Sequence, residues 1–115
     1  LIGGRLFKHS VVSVGSAALE SISRINADLF FMGVTGVHPR AGFTTGDYEE
    51  AGIKRALAAR AAETVVMASQ EKLNSASAFA IGELGAASTL IVDTNLDEAL
   101  RQQLTLAGVE ILYAL

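Results

Sequence analysis

An α/β fold with a mainly parallel sheet is predicted by three features: short apolar runs spaced along the chain, helix-forming segments between them, and few aromatic residues. Half of the residues are hydrophobic and only 18% are charged, a balance that marks a globular chain. Aromatics make up 6%, so Ala, Val, Leu and Ile must fill the interior. That suits parallel sheets, whose strands are apolar on both faces. With 115 residues the chain is the size of one domain, large enough for one continuous core.

Strands are expected at Leu29–Val34, Thr64–Ala68, Thr89–Val92 and Val109–Tyr113, runs too short for helices and rich in β-branched or aromatic residues. Leu1 and Ile2 read as the end of a further strand. Tyr48–Ala62 is dense in Ala, Leu, Arg, Lys and Glu and is expected to be helical. Ala76–Ala87 reads the same way, weakened by Gly82 and Gly85, and Ser13–Ile25 has Ala18, Ile22 and Ile25 along one helical face. Leu96–Leu106 sets Leu96, Leu100 and Leu104 in one stripe, with Thr94 or Asn95 as its cap and Gly108 as its end. Strand–helix–strand units imply right-handed crossovers. The expected architecture is a three-layer α/β/α sandwich, Rossmann-like, with helices on both faces of one parallel sheet.

Several function classes are excluded or disfavoured. There is no Cys, so disulfides and thiolate metal sites drop out, and a reducing, cytoplasmic setting is expected. No apolar run approaches the roughly 18 residues needed to cross a bilayer, and no signal-peptide pattern is visible. The net charge is −3 and the nine basic residues are scattered, the opposite of a phosphate-neutralising surface. His9 and His38 each lack a second ligand at metal spacing, so no metal is expected. Nucleotide-binding and nucleophile-elbow motifs are missing, and neither a catalytic residue nor a cofactor is assigned.

Ligands of open parallel sheets bind beyond the C-terminal ends of the strands. Four loops lie there: Gly3-Gly4-Arg5, the stretch from Gly33 to Asp47, Ser69–Lys72, and Asp93–Asn95. The second holds four glycines, three threonines and the sole proline. Its backbone N–H groups suit an anion and its hydroxyls a polyol; the plainer reading is a surface loop whose glycines make turns. Asp47 and Glu50 have capping-box spacing, which needs no ligand. Lys72 is either a phosphate- or carboxylate-binding ammonium or a solvated lysine.

The run Asp28–Val37, followed by Gly42-Phe43-Thr44-Thr45, Glu50-Ala51 and Lys54-Arg55, resembles the central signature of DeoR-type transcription regulators. Gly3-Gly4, Gly15, the segment Ala68–Lys72 and Asp93 extend the resemblance over nearly the whole chain. It implies a sensor domain with a fold similar to ribose-5-phosphate isomerases and coenzyme A transferases, responding to a phosphorylated sugar or related metabolite. The ligand contacts it implies are Gly3, Gly4, Thr35, Gly36, Thr44 and Lys72. Ser69 stands where the family usually has Asp. The resemblance also implies that residues 1–115 are one effector-sensing domain lacking the family's first strand and Gly-Thr-Thr loop. A DNA-binding winged helix-turn-helix is expected upstream, consistent with a chain that starts at Leu1.

The expected function is therefore that of the ligand-sensing part of a bacterial transcription regulator, a repressor and not an enzyme, with DNA contacted through the upstream domain alone. The alternative is an isomerase-like enzyme on the same fold, for which the strand-end loops offer few carboxylates. A mean hydropathy of +0.40, together with the paired sites such regulators read, leads to the expectation of a homo-oligomer, a dimer or tetramer. The scattered basic residues predict that these 115 residues alone give no sequence-dependent gel shift at physiological salt. A clear shift on one duplex and not on a scrambled one would contradict that.

Overall fold

The computed structural model describes residues 11–114, with side chains described from Ala17 onward. In chain order the elements are helix α1 (Val11–Ile22), strand β1 (Ala27–Met32), the hairpin β2 (Gly36–His38) and β3 (Gly42–Thr45), and helix α2 (Tyr48–Arg60). Next come β4 (Ala61–Ala68), a 3-10 turn (Gln70–Lys72), β5 (Phe79–Gly82), a second 3-10 turn (Leu84–Ala86) and β6 (Thr89–Val92). Helix α3 (Glu98–Leu106) and β7 (Glu110–Tyr113) close the chain. The strand at Leu1 and Ile2 falls outside the described residues.

The fold is an α/β sandwich. Its main sheet is parallel, with strand order β1-β4-β6-β7, and all four strands were legible as apolar runs. A second, antiparallel sheet of order β2-β3-β5 accompanies it. Met32, Val66, Leu90 and Val92 of the main sheet share one buried cluster with Ala51 of α2, Leu100 and Leu104 of α3, and Phe43 and Ile81 of the small sheet. A smaller cluster joins Ala18 and Ile22 of α1 to Ile53 of α2. Each of the Val, Leu, Ile, Phe and Met side chains among them, when fully buried, contributes on the order of 1.5–3 kcal/mol.

Three expectations are corrected. The helix expected at Ala76–Ala87 does not form: Phe79–Gly82 is a strand and Leu84–Ala86 a 3-10 turn. Alanine content favoured a helix, but pairing with β3 wins. The crossover from β4 to β6 is therefore not helical, and the 15-residue stretch from Gly33 to Asp47 is largely a hairpin instead of an irregular loop. The cap of α3 is Asp97, accepting from the Leu100 N–H, and not Thr94 or Asn95. Gly108 ends α3 as expected, with φ of 82°. Asp47 does cap α2, accepting from the N–H groups of Glu49 and Glu50, while Glu50 turns instead to Lys54 at 3.5 Å.

The hairpin turn is fixed by two devices. The His38 ring accepts through Nδ1 from the backbone N–H groups of Arg40 and Ala41, at 3.1 and 3.2 Å. Gly42 has φ of +75°, and a Cβ there would lie 2.3 Å from the Gly82 carbonyl oxygen. No side chain fits. Gly42→Ala is expected to destabilise the intact protein by about 1–3 kcal/mol in urea unfolding, whereas Gly52→Ala, in the open helical stretch of α2, should be neutral or stabilising by up to about 1 kcal/mol. Equal effects at both positions would contradict the packing described.

Candidate functional site

All four parallel strands end on one edge of the main sheet, so the segments after β1, β4 and β6 gather there. They are tied to each other by side chains. The segment after β1 meets the segment after β4 at Thr35, whose hydroxyl lies 2.5 Å from the Ser77 hydroxyl. Thr44 lies between them and is 2% exposed. Its carbonyl accepts from the Thr35 N–H at 2.9 Å, and its hydroxyl oxygen accepts from the Ser77 N–H at 2.8 Å.

Gly36 completes this junction. A Cβ there would sit 2.5 Å from both the Ser75 carbonyl oxygen and the Thr44 hydroxyl oxygen, so the hairpin and the 75–77 segment approach more closely than any side chain permits. An isolated parallel bridge between Val37 and Leu73 continues the contact and places Lys72 beside it. The structure thus brings Thr35, Gly36 and Thr44 together, with Lys72 on the adjoining 3-10 turn. Gly3 and Gly4 lie outside the described residues. Thr44 is held inside by backbone partners, while Thr35 is exposed at the surface.

The charges at this edge are mostly committed. The Glu71 carboxylate accepts from the Ser69 hydroxyl, which, with its backbone bond and neighbouring Lys72, holds its pKa below the usual glutamate range. Asp97 accepts from the Asn74 side-chain amide at 2.7 Å, and this bond, with the Leu100 N–H, holds its pKa below the aspartate range. Asn74 makes that reach from a left-handed backbone, φ 59°, which Asn tolerates better than most residues. Lys54 donates to the Gly33 carbonyl at 2.7 Å and pairs with Glu50. Among the described residues Lys72 makes no ion pair. Its side chain is half-buried.

Two contributors escaped sequence reasoning. Lys54 and Arg55 were legible only as part of a motif, without a task. Arg55 donates to the carbonyls of Ile81 and Ala80, at 3.0 and 2.8 Å, where β5 shifts register against β3. Irregular pairing leaves carbonyls unmatched, and the guanidinium satisfies them. The signal available was a helix-borne Lys-Arg pair, too common to specify a partner.

A cavity of about 290 Å³ lies elsewhere, between the hairpin turn and the end of α3, lined by Pro39, Arg40, Glu83, Leu84, Gln103 and Leu106. It adjoins the segments that lead into β6 and β7, so it opens at the starting edge of the sheet, opposite the strand ends. Strand-end placement governs ligand binding in open parallel sheets, and the Thr35–Lys72 edge is the better candidate.

The Asn74–Asp97 bond carries a direct test. Followed by carbon NMR, the Asp97 carboxyl should titrate below ordinary aspartates and return toward their range in Asn74→Gly. The charged form is the bound one, so this bond stabilises the fold above the ordinary aspartate range and is lost as pH falls through the depressed value. An unchanged midpoint in the variant would contradict the assignment.

Comparison with known proteins places this edge in context. The model of the DeoR C terminal sensor domain matches residues 1–94. The chain is 32% identical over 111 residues to the HTH-type transcriptional regulator GlpR of Haloferax volcanii, covering 96% of the chain and 44% of that protein. It is 31% identical over 112 residues to the HTH-type transcriptional repressor GlcR of Bacillus subtilis, covering 97% and 43% respectively. A putative sgc region transcriptional regulator of Escherichia coli is 30% identical over 112 residues, 96% of the chain and 43% of that protein. The chain spans less than half the length of these curated relatives. With the family model matching most of its residues, the chain belongs to the DeoR C-terminal sensor domain family.

Proposed function

We propose that the chain is the effector-sensing domain of a transcription regulator, and that it binds a phosphorylated sugar or a related anionic metabolite at the strand-end edge without transforming it. The observation that carries this reading is the junction of the post-β1 and post-β4 segments, with Lys72 beside it and free of an ion pair among the described residues. Lys72 supplies the charge for a phosphate, the Thr35 hydroxyl faces a polyol, and Gly36 lets backbone approach closely. Thr44 acts through Thr35 and Ser77, holding both in place. The glycines Gly3 and Gly4 complete the proposed contact set.

The commitments of the carboxylates support a sensor over an isomerase. A general base works best with a pKa near the operating pH, yet Glu71 and Asp97 are both held below their ordinary ranges, and Glu50 is paired with Lys54. In the full-length protein, DNA would be read by an upstream helix-turn-helix, as the names of the relatives suggest. Effector binding to one state of the domain would then shift the DNA affinity of an oligomer, to the extent that the two states bind effector differently.

Charge-assisted hydrogen bonds contribute about 1.5–3 kcal/mol. Lys72→Ala in the full-length regulator should therefore weaken binding roughly 10- to 150-fold in calorimetric titrations against a panel of sugar phosphates and inorganic phosphate. Stability should change little, because Lys72 is not part of the core. A variant that binds the same sugar phosphate as tightly as the parent would remove Lys72 from the site.

A further inference from the structure

Glu71 combines a charge, an exposed position and a fixed geometry. Its carboxylate accepts from the hydroxyl of Ser69, the residue that directly follows β4. Since β4 lies between β1 and β6 in the main sheet, this bond draws the carboxylate back toward the middle of the strand-end edge. The turn that carries it is closed as well. The Lys72 and Leu73 N–H groups donate to the carbonyls of Ser69 and Gln70, at 3.0 and 3.1 Å. The Ser75 hydroxyl donates to the Glu71 carbonyl at 3.2 Å. We infer that Glu71 selects the effector, accepting hydrogen bonds from the hydroxyls of a ligand whose phosphate lies at Lys72. Ser69 is its positioning residue.

Acceptor capacity separates Glu71 from its neighbour. A carboxylate offers about four lone-pair sites, and the Ser69 hydroxyl engages only Oε2 of Glu71. Asp97 gives one oxygen to the Asn74 amide and the other to the Leu100 N–H. Glu71 thus keeps an oxygen open to a ligand, whereas both oxygens of Asp97 are engaged. The Ser69 bond, with the Glu71 backbone and Lys72, holds the carboxyl below the usual glutamate range. It stays ionised, a poor base and a good acceptor. The opposite charges beside each other also remain apart. In a 3-10 turn successive residues are about 120° apart around the axis, and among the described residues Glu71 and Lys72 form no ion pair.

The edge therefore presents a cation and an anion side by side. A phosphorylated polyol matches both, with its phosphate on the lysine and its hydroxyl donors on the glutamate. Inorganic phosphate matches only the first and is repelled by the second. A site built to bond a ligand's hydroxyls rejects the analogue that lacks them. The Ser69 contact also relates this turn to the family pattern. Position 69 carries Ser where related regulators usually have Asp, and the carboxylate here comes from two residues later, within a hydrogen bond of position 69. A carboxylate rooted at position 69 would occupy nearly the same space. Hydroxyl and carboxylate have exchanged roots, and the charge has kept its place.

This inference deepens the effector reading and rests on it, so the test separates the two. The full-length parent is titrated by calorimetry with ribose-5-phosphate, glucose-6-phosphate, fructose-1-phosphate and inorganic phosphate. The tightest sugar phosphate and inorganic phosphate are then titrated against Glu71→Gln, which keeps the shape and the acceptor for Ser69 and removes the charge. Sugar-phosphate binding should weaken about 10-fold or more. Inorganic phosphate should bind equally well or up to about 5-fold tighter, because a neighbouring negative charge is gone. Glu71→Ser should lose sugar-phosphate binding likewise, and adding Ser69→Asp to it should restore the affinity to within about 3-fold of the parent. A merely structural Glu71 would move both ligands in the same direction. That result, or an unchanged sugar-phosphate affinity in Glu71→Gln, would overturn the inference, as would an exchanged pair that stays weak. A parent that binds no sugar phosphate better than inorganic phosphate would refute the effector reading itself, and the inference with it.

Discussion

The arrangement of the strand-end edge depends on one buried threonine. Thr44 sits on β3, in a hairpin inserted between a parallel strand and its crossover helix, and offers two acceptors in two directions. Its carbonyl takes the Thr35 N–H and its hydroxyl takes the Ser77 N–H. A buried N–H without a partner costs about 1–3 kcal/mol, so each bond fixes a segment that would otherwise have to remain solvated. Gly36 is then the geometric complement of Thr44, since the approach leaves no space for a side chain.

From that junction the remaining features follow in order. With the 75–77 segment fixed, β5 pairs with β3 and its irregular register exposes two carbonyls, which Arg55 takes up from α2. The turn that carries Lys72 is shortened between the end of β4 and the Val37–Leu73 bridge. A lysine on a long free loop would lose much side-chain and backbone freedom on binding a phosphate. Here part of that ordering is already built into the fold, which is the physical content of the proposed site.

The parallel sheet was readable because its signal is local: four apolar runs of about the right length, each bounded by turn or helix residues. The Thr/Gly stretch was readable as special, since four glycines and three threonines in one connection are unusual. What that stretch does was not readable. Thr44 and Thr35 carry the same side chain, yet one is buried and structural while the other is exposed, and only the pairing of β3 with β5 separates them. The same pairing turned the alanine-rich segment around Phe79 into a strand. Long-range contacts of this kind leave no period in the sequence.

The central claim is that Thr44 couples the post-β1 and post-β4 segments into one unit. Native-state amide exchange at Thr35 and Ser77, in the parent and in Thr44→Val, tests it most directly. The substitution removes the acceptor for Ser77 and leaves intact the carbonyl that serves Thr35. If the segments open together, both amides should exchange faster by a similar factor, roughly 10- to 100-fold for a loss of about 1–3 kcal/mol. Acceleration at Ser77 alone, with Thr35 unchanged, would show that the two segments are held independently and would contradict the account.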